Sequence, residues 1–278
     1  MNKTCVIGYP IAHSRSPLIH NYWLQLYGLK GVYEKREVKP EDLKWFLFNL
    51  SAEGYVGCNV TIPHKEAAFA IVPHLDDVVK RTGSLNTIYF EGGTLHATST
   101  DGEGFYQNLL TQVPELDLTG KIAIILGAGG SARAIIERLM RAGIGEIKIL
   151  NRTQSRVEEL AALFGSKVVS IEMKRFDNES KATDLLINAT SQGLKGQADL
   201  EINLAHLPPH AVVADIVYVP LKTRLLTSAE ARGLRTVSGL GMLLHQAVVG
   251  FEKWYGVKPQ VTGELYQLVA RDVDPDFK

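Results

Sequence analysis

Residues 58–66 read CNVTIPHKE. Cys58, Val60 and Ile62 alternate with Asn59 and Thr61, the period of a strand with one buried face. The other face carries an amide and a hydroxyl, and Pro63 stops the run just before Lys65. A strand of this kind can hold a small polar ligand and present a cation at its tip. Lys65 falls in what reads as a first helical turn, where the helix dipole disfavours positive charge. Packing convenience therefore does not explain it, although an ordinary helical lysine is the plain alternative.

A second cluster suits a nucleotide. KIAIIL reads as a buried strand and GAGGSARAIIERLMRAG as a turn and helix, followed by the strand EIKIL. Gly127-x-Gly129-x-x-Ala132 thus lies between strand and helix, the context a dinucleotide fingerprint requires. Gly127 makes the tight turn, Gly129 lets the backbone approach a pyrophosphate, and the small Ala132 lets helix and strand pack closely. The helix start offers unpaired N–H groups, so Gly127, Ala128, Gly129, Gly130 and Ser131 form the candidate phosphate cradle. At the end of the second strand the sequence is ILNRTQSR. Asn151 stands where an NAD site places an acid, with Arg152 and Thr153 beside it and Arg156 one turn on. Two guanidinium groups and no acid suit a 2′-phosphate, hence NADP. A merely tight turn, with Thr153 capping a helix flanked by two solvated arginines, is the alternative.

The elements that must position these groups alternate. Strands are expected at 4–8, in VYEKREV, around 58–62, and on both sides of Gly92–Gly93. The first helix is expected over 17–27 with Leu18, Ile19, Tyr22, Trp23 and Leu26 inward; helices are also expected in PEDLKWFLFNL and across 65–82, broken at Pro73. From residue 121 the alternation is βαβ throughout, and two helices follow residue 240 with no further strand to cover. The chain is 278 residues long with zero formal net charge and two cysteines, Cys5 and Cys58, in apolar runs. Such a chain supports a sizeable core and buried reduced thiols, and gives no ground for nucleic-acid or membrane binding. The N-terminus lacks the pattern of a secretory signal, so a cytoplasmic protein is expected. His13, His64 and His245 have no spaced ligand partners, so no metal site is expected.

Nine stretches in order carry a resemblance: GYPIAHSRSPLIHN (8–21), GCNVTIPHK (57–65), GSLNT (83–87), STDGEG (99–104), GAGGSARA (127–134), NRT (151–153), NATSQG (188–193), DIVYVPLKTRLL (215–226) and GMLLHQA (241–247). Along nearly its whole length the chain resembles the shikimate dehydrogenases. The family often has Gly and Asn where this sequence has Ala97 and Ser99; Asp101 remains in place. The resemblance implies an α/β fold of two domains: residues 1–103 with 241–278, holding a mixed sheet and the substrate, and a Rossmann-type parallel-sheet domain at 104–240 holding NADP. A cleft between them is expected.

The implied activity is reversible reduction of 3-dehydroshikimate to shikimate by NADPH, in the route to aromatic amino acids. The implied catalytic pair is Lys65, as proton donor and electrostatic stabiliser, and Asp101, as its orienting partner. Ser14 and Ser16 would hold the substrate carboxylate. Asn59, Thr61 and Asn86 would meet ring hydroxyls, and Tyr218 and Gln246 would close the pocket. Ile216 and Gly239 would lie near the nicotinamide, with Asp77 approaching from the first domain. Plain alternatives are an N-cap role for Ser16 before Pro17, a turn residue at Asp101, a core aromatic at Tyr218 and a solvated helix position at Gln246. A quinate dehydrogenase using NAD, and a non-catalytic ligand sensor of the same fold, stay open. So does the assembly, of which a homodimer is one form.

Overall fold

The computed structural model describes residues 2–277. The chain divides into two compact units, Met1–Asp101 with Leu243–Val269, and Gly102–Met242 with Ala270–Lys278. Each unit carries one six-stranded sheet.

The first sheet consists of β1 (Asn2–Gly8), β2 (Gly31–Glu37), β3 (Tyr55–Val60), β4 (His74–Leu75), β5 (Thr87–Glu91) and β6 (Thr94–Thr98), in the order β2-β1-β3-β5-β6-β4. β2, β1 and β3 are parallel; β5 runs antiparallel to both β3 and β6, while β4 is parallel to β6. The β5–β6 hairpin turns on Gly92 and Gly93 at φ 59° and 81°, a left-handed pair that glycine adopts without steric cost. One face of the sheet packs Ile7, Leu43, Leu47, Leu50, Val60 and Ile88. The other packs Val6, Tyr33, Tyr89 and Trp254. Trp254 comes from the helix Leu240–Tyr255 and crosses β3 at Gly57, where a Cβ would lie 2.1 Å from its Nε1. Cys5 and Cys58 are register partners on β1 and β3, both buried and unbridged.

Three local expectations change. The strand at 58–62 ends at Val60, and Ile62 is 73 % exposed rather than buried. His64 N–H donates to the Thr61 carbonyl, and that turn takes Ile62 out of the pleat. The first helix, Ser16–Leu26, buries Ser16, Ile19, His20, Trp23 and Leu24 and leaves Leu26 exposed. Asn21 sets this rotation by clamping Tyr33: its Nδ2 donates to Tyr33 O (2.8 Å) and its Oδ1 accepts from Tyr33 N (3.0 Å). Residues 65–82 form two short helices, Lys65–Phe69 and Asp77–Thr82, with β4 between them.

The second sheet is wholly parallel. Its strands are β7 (Ile122–Leu126), β8 (Glu146–Leu150), β9 (Val168–Ser170), β10 (Leu185–Asn188), β11 (Val212–Asp215) and β12 (Arg235–Val237), ordered β12-β11-β10-β7-β8-β9. This is the doubly wound order, with the switch point between β7 and β10. Apolar clusters cover both faces, one around Ile125, Ile135, Ile147 and Leu160 and one around Ile124, Leu186, Val213 and Leu226. That accounts for the unbroken apolar runs in these strands. The sequence pattern did not announce β9 or the helix Asp101–Gln112, which opens in the STDGEG stretch.

Candidate active site

In the first unit, Lys65 begins its short helix and Asp101 begins the helix Asp101–Gln112. Asp101 is buried, and its Oδ2 accepts from Lys65 Nζ. Its Oδ1 accepts from Asn86 Nδ2 at 2.8 Å. The same nitrogen faces Thr100 Oγ1 at 2.9 Å and Gln246 Oε1 at 3.2 Å. Gln246 is buried and donates through Nε2 to Leu243 O at 3.0 Å, so it is not a solvated helix position. Asp101 is likewise no simple turn residue, because both its oxygens are engaged.

Backbone groups fix how these amides point. Thr100 N–H can only donate, and it donates to Asn86 Oδ1 at 2.8 Å. Asn86 must therefore turn its NH₂ toward Asp101. Asn86 C=O can only accept, and it accepts from Asn59 Nδ2 at 3.1 Å. Asn59 Nδ2 also donates to Thr87 Oγ1 at 3.0 Å, which passes its own hydrogen to Asn86 Oδ1 at 3.1 Å. Asn59 Oδ1 accepts from Tyr33 O–H at 2.6 Å. The chain Tyr33–Asn59–Thr87–Asn86–Asp101 thus runs donor to acceptor in one direction and ends on the carboxylate that holds Lys65.

Tyr33 is itself held tightly. Its ring stacks on His20 at 4.1 Å with planes 4° apart, and burial raises its hydroxyl pKa well above the ordinary tyrosine value. His20 is wholly buried among Trp23, Tyr33, Phe251 and Trp254, and neither ring nitrogen has a hydrogen-bond partner. Burial pushes its pKa down to about 3 against a smaller opposing effect of Asn59, so the ring is neutral.

Among the remaining residues expected in this unit, Ser16 is buried and is the first helical residue, not the N-cap; that position belongs to Arg15. Ser14 Oγ accepts from Ser16 N–H and donates to Ser16 Oγ, both at 3.3 Å, so the two hydroxyls stand together. Thr61 is half-buried just beyond β3. Asp77 is exposed and pairs loosely with Lys80 at 3.9 Å; it is not drawn into the polar network. His64 is buried with Nε2 bonded to Val38 O at 2.7 Å, a packing role, and His13 is exposed. No cluster of three metal-ligating side chains occurs among the described residues.

In the second unit, β7 is followed directly by Gly127, whose φ is +104°. A Cβ there would lie 2.9 Å from Thr190 Cγ2 and 3.0 Å from Ala189 O, so both conformation and space require glycine. Gly129 holds the N-cap of the helix Gly130–Arg141, and no side chain caps it. Its Cβ direction is open, with nothing within 4 Å. Ala128 and Ala132 are buried and Ser131 is half-buried. The open glycine edge and the uncapped helix start fit a pyrophosphate. Beyond β8, Asn151 Nδ2 donates to Thr153 O at 2.9 Å. Thr153 occupies the N-cap of the helix Gln154–Phe164 but makes no capping bond. Arg152 and Arg156 are exposed, and no acid stands beside them in NRTQSR. This set fits a phosphorylated ribose. Ile216 and Tyr218 are half-buried on the segment after β11, and Gly239 backs onto it: a Cβ there would lie 2.4 Å from Ile216 O.

The family model described as "Shikimate dehydrogenase substrate binding domain" matches residues 6–88, and that described as "Shikimate / quinate 5-dehydrogenase" matches residues 109–216. A shikimate dehydrogenase (NADP(+)) of Nitrobacter winogradskyi is 51 % identical over 269 residues, covering 97 % of this chain and 96 % of the relative. The structure of a Thermus thermophilus shikimate 5-dehydrogenase in complex with NADP(H) and shikimate superposes with a TM-score of 0.86 at 34 % identity, covering 98 % and 100 % of the two chains. That of a Corynebacterium glutamicum quinate dehydrogenase in complex with NAD gives 0.88 at 26 % identity, covering 96 % and 98 %.

Proposed function

The chain belongs to the shikimate dehydrogenase family, and from that premise we propose that it is an NADP-dependent shikimate dehydrogenase. It reduces 3-dehydroshikimate to shikimate reversibly, as an enzyme of cytoplasmic aromatic amino acid biosynthesis. The observation that carries this reading is the pairing of the half-buried Lys65 with the buried Asp101, whose second oxygen is held by Asn86.

NADPH supplies the hydride that reaches the substrate carbonyl carbon. The residues that would hold it are Gly127 to Ser131 at the pyrophosphate, Asn151, Arg152, Thr153 and Arg156 at the 2′-phosphate, and Ile216 and Gly239 toward the nicotinamide.

The rest of the chemistry belongs to side chains of the first unit. As negative charge grows on the substrate oxygen, the Lys65 ammonium stabilises it and donates a proton to it. Asp101 aims that ammonium, and takes up the proton traffic when the alcohol is oxidised. Ser14 and Ser16 stand side by side, and the Ser14 hydrogen that now goes to Ser16 Oγ would turn, with that of Ser16, to a substrate carboxylate. Thr61, Asn86 and Gln246 take ring hydroxyls. Asn59, expected at a ring hydroxyl, lies one step behind Asn86 in the hydrogen-bond chain and in this reading braces it, while Asn86, bonded to the same carboxylate as Lys65, stands nearer the chemistry.

The test is oxidation of shikimate and of quinate, each with NADP⁺ and with NAD⁺. The expected result is fastest turnover of shikimate with NADP⁺. Preference for quinate with NAD⁺ would transfer the chain to the quinate branch, and tight binding of shikimate without turnover would make it a sensor.

A further inference from the structure

Three acids are buried among the described residues: Asp101, Glu137 and Asp215. Asp101 has Lys65, and Glu137 has Arg141 at 3.0 Å. Asp215, 2 % exposed, has no cation. Its Oδ1 accepts from Val217 N–H at 3.0 Å and Asn188 Nδ2 at 2.9 Å, and its Oδ2 accepts from Thr223 Oγ1 at 2.7 Å. All three donors are neutral. Burial lifts its carboxyl above the ordinary aspartate range, and the three hydrogen bonds oppose that rise. Tying the segment 216–222 to the sheet does not need a charge, because neutral hydrogen-bonding side chains make the same turns. The three donors and the N-terminus of the helix Arg224–Ala231, which Thr223 caps, offset part of the cost of burying this charge, and a positive charge at the sheet edge would relieve more of it.

The position of Asp215 says which charge that is. The last residues of β7, β10 and β11 are in register, Leu126 beside Asn188 and Asn188 beside Asp215. They share the carboxyl edge of a parallel sheet, where such sheets bind ligands. The glycine cradle follows β7, and the two arginines follow β8 on one side of it. With the phosphorylated ribose on the β8 side, the other half of the dinucleotide extends the opposite way, over β10 and β11. Asp215 is two strands from the cradle in that direction, roughly 10 Å at ordinary strand spacing.

Resting on the cofactor reading above, we propose that the Asp215 carboxylate is a redox-state selector for the nicotinamide. Its charge is met by the positive ring of NADP⁺ and not by the neutral ring of NADPH. Asp215 thereby tightens binding of the oxidised cofactor specifically.

Dissociation constants of NADP⁺, NADPH, NAD⁺ and NADH are measured by calorimetry on the full chain without substrate. For Asp215→Asn, close in shape and neutral, NADP⁺ should bind at least fivefold more weakly and NADPH within twofold of the parent. Equal weakening of both would reduce Asp215 to a loop tie and overturn the proposal, as would no change in either. If circular dichroism shows that this variant does not fold, Thr223→Val keeps the charge and removes one donor. It should then shift preference toward NADP⁺ by at least twofold, and equal weakening or a shift toward NADPH overturns the idea. A wrong cofactor reading looks different: the parent chain would bind NAD⁺ and NADH as tightly as their phosphorylated forms.

Discussion

His20 makes the stability of the first unit depend on pH in a direction that can be worked out. The folded pKa is about 3, while the unfolded chain titrates near the ordinary value of 6.5. Between those values the unfolded state carries a proton that the folded state refuses. Stability is therefore full above pH ~6.5 and falls as the pH drops toward ~3. The slope from this one residue approaches about 1.4 kcal/mol per pH unit. At pH ~5 the loss is about 2 kcal/mol, a sizeable share of an ordinary domain's stability. His20→Phe keeps an aromatic ring against Tyr33 and removes the titration. The chain's three tryptophans, Trp23, Trp45 and Trp254, all lie in the first unit, so their fluorescence during urea unfolding reports that unit alone. The parent should lose about 2 kcal/mol more than His20→Phe between pH ~7.5 and ~5. Equal losses would mean that His20 is protonated in the folded protein, and the reasoning about its unpartnered nitrogens would be wrong.

Lys65→Met should lower kcat by about 10²–10⁴-fold in a chain that still folds and unfolds cooperatively by tryptophan fluorescence; near-parental turnover would remove Lys65 from the chemistry. Replacing both Arg152 and Arg156 with alanine should raise KM for NADPH by tenfold or more, leaving KM for NADH within about twofold, since only the former carries the 2′-phosphate. Gly57→Ala places a Cβ 2.1 Å from Trp254 Nε1 and 2.5 Å from Ile88 O, two atoms already joined by a hydrogen bond of 2.9 Å. It should cost about 1–3 kcal/mol of first-unit stability by urea unfolding, and an unchanged midpoint would contradict that packing.

What the sequence revealed, and what it hid, divides along physical lines. The parallel sheet was legible in β7, β8, β10 and β11, whose middles are buried on both faces and read as apolar runs, whereas the short edge strand β9 is only partly buried and gave no such run. The glycine turn was legible because its conformational demand falls on residues adjacent in sequence. Lys65, Asn86, Asp101 and Gln246 could be singled out, but not their joining into one network: the contacts span up to 160 residues along the chain. Tyr33 and His20 left no signal at all. An aromatic in a strand and a histidine on a helix are unremarkable until the Asn21 clamp rotates that helix onto β2. Ile62 misled because alternation does not reveal where a turn ends the pleat. Ser16 misled because a serine before proline favours the N-cap, whereas here the helix begins one residue earlier.

The direction of the hydrogen bonds in the first unit bears on why Asn59, Thr87 and Thr100 accompany the Lys65–Asp101 pair. An asparagine amide can flip, and a flipped Asn86 would turn its carbonyl oxygen toward the Asp101 carboxylate, lone pair against lone pair. Thr100 N–H on one side and Thr87 O–H on the other both need the Asn86 oxygen where it stands. Thr87 in turn has its hydrogen free for Asn86 only because Asn59 already donates to it, and Asn59 is locked by a backbone carbonyl and by Tyr33. Each amide is thus fixed by at least one group whose polarity cannot reverse. Asp101 consequently receives a donor on Oδ1 and keeps Oδ2 for the lysine, so that the ammonium is aimed before any ligand arrives. In the proposed reaction, charge aimed in advance would avoid reorganisation, and the residues that aim it would act without meeting the substrate.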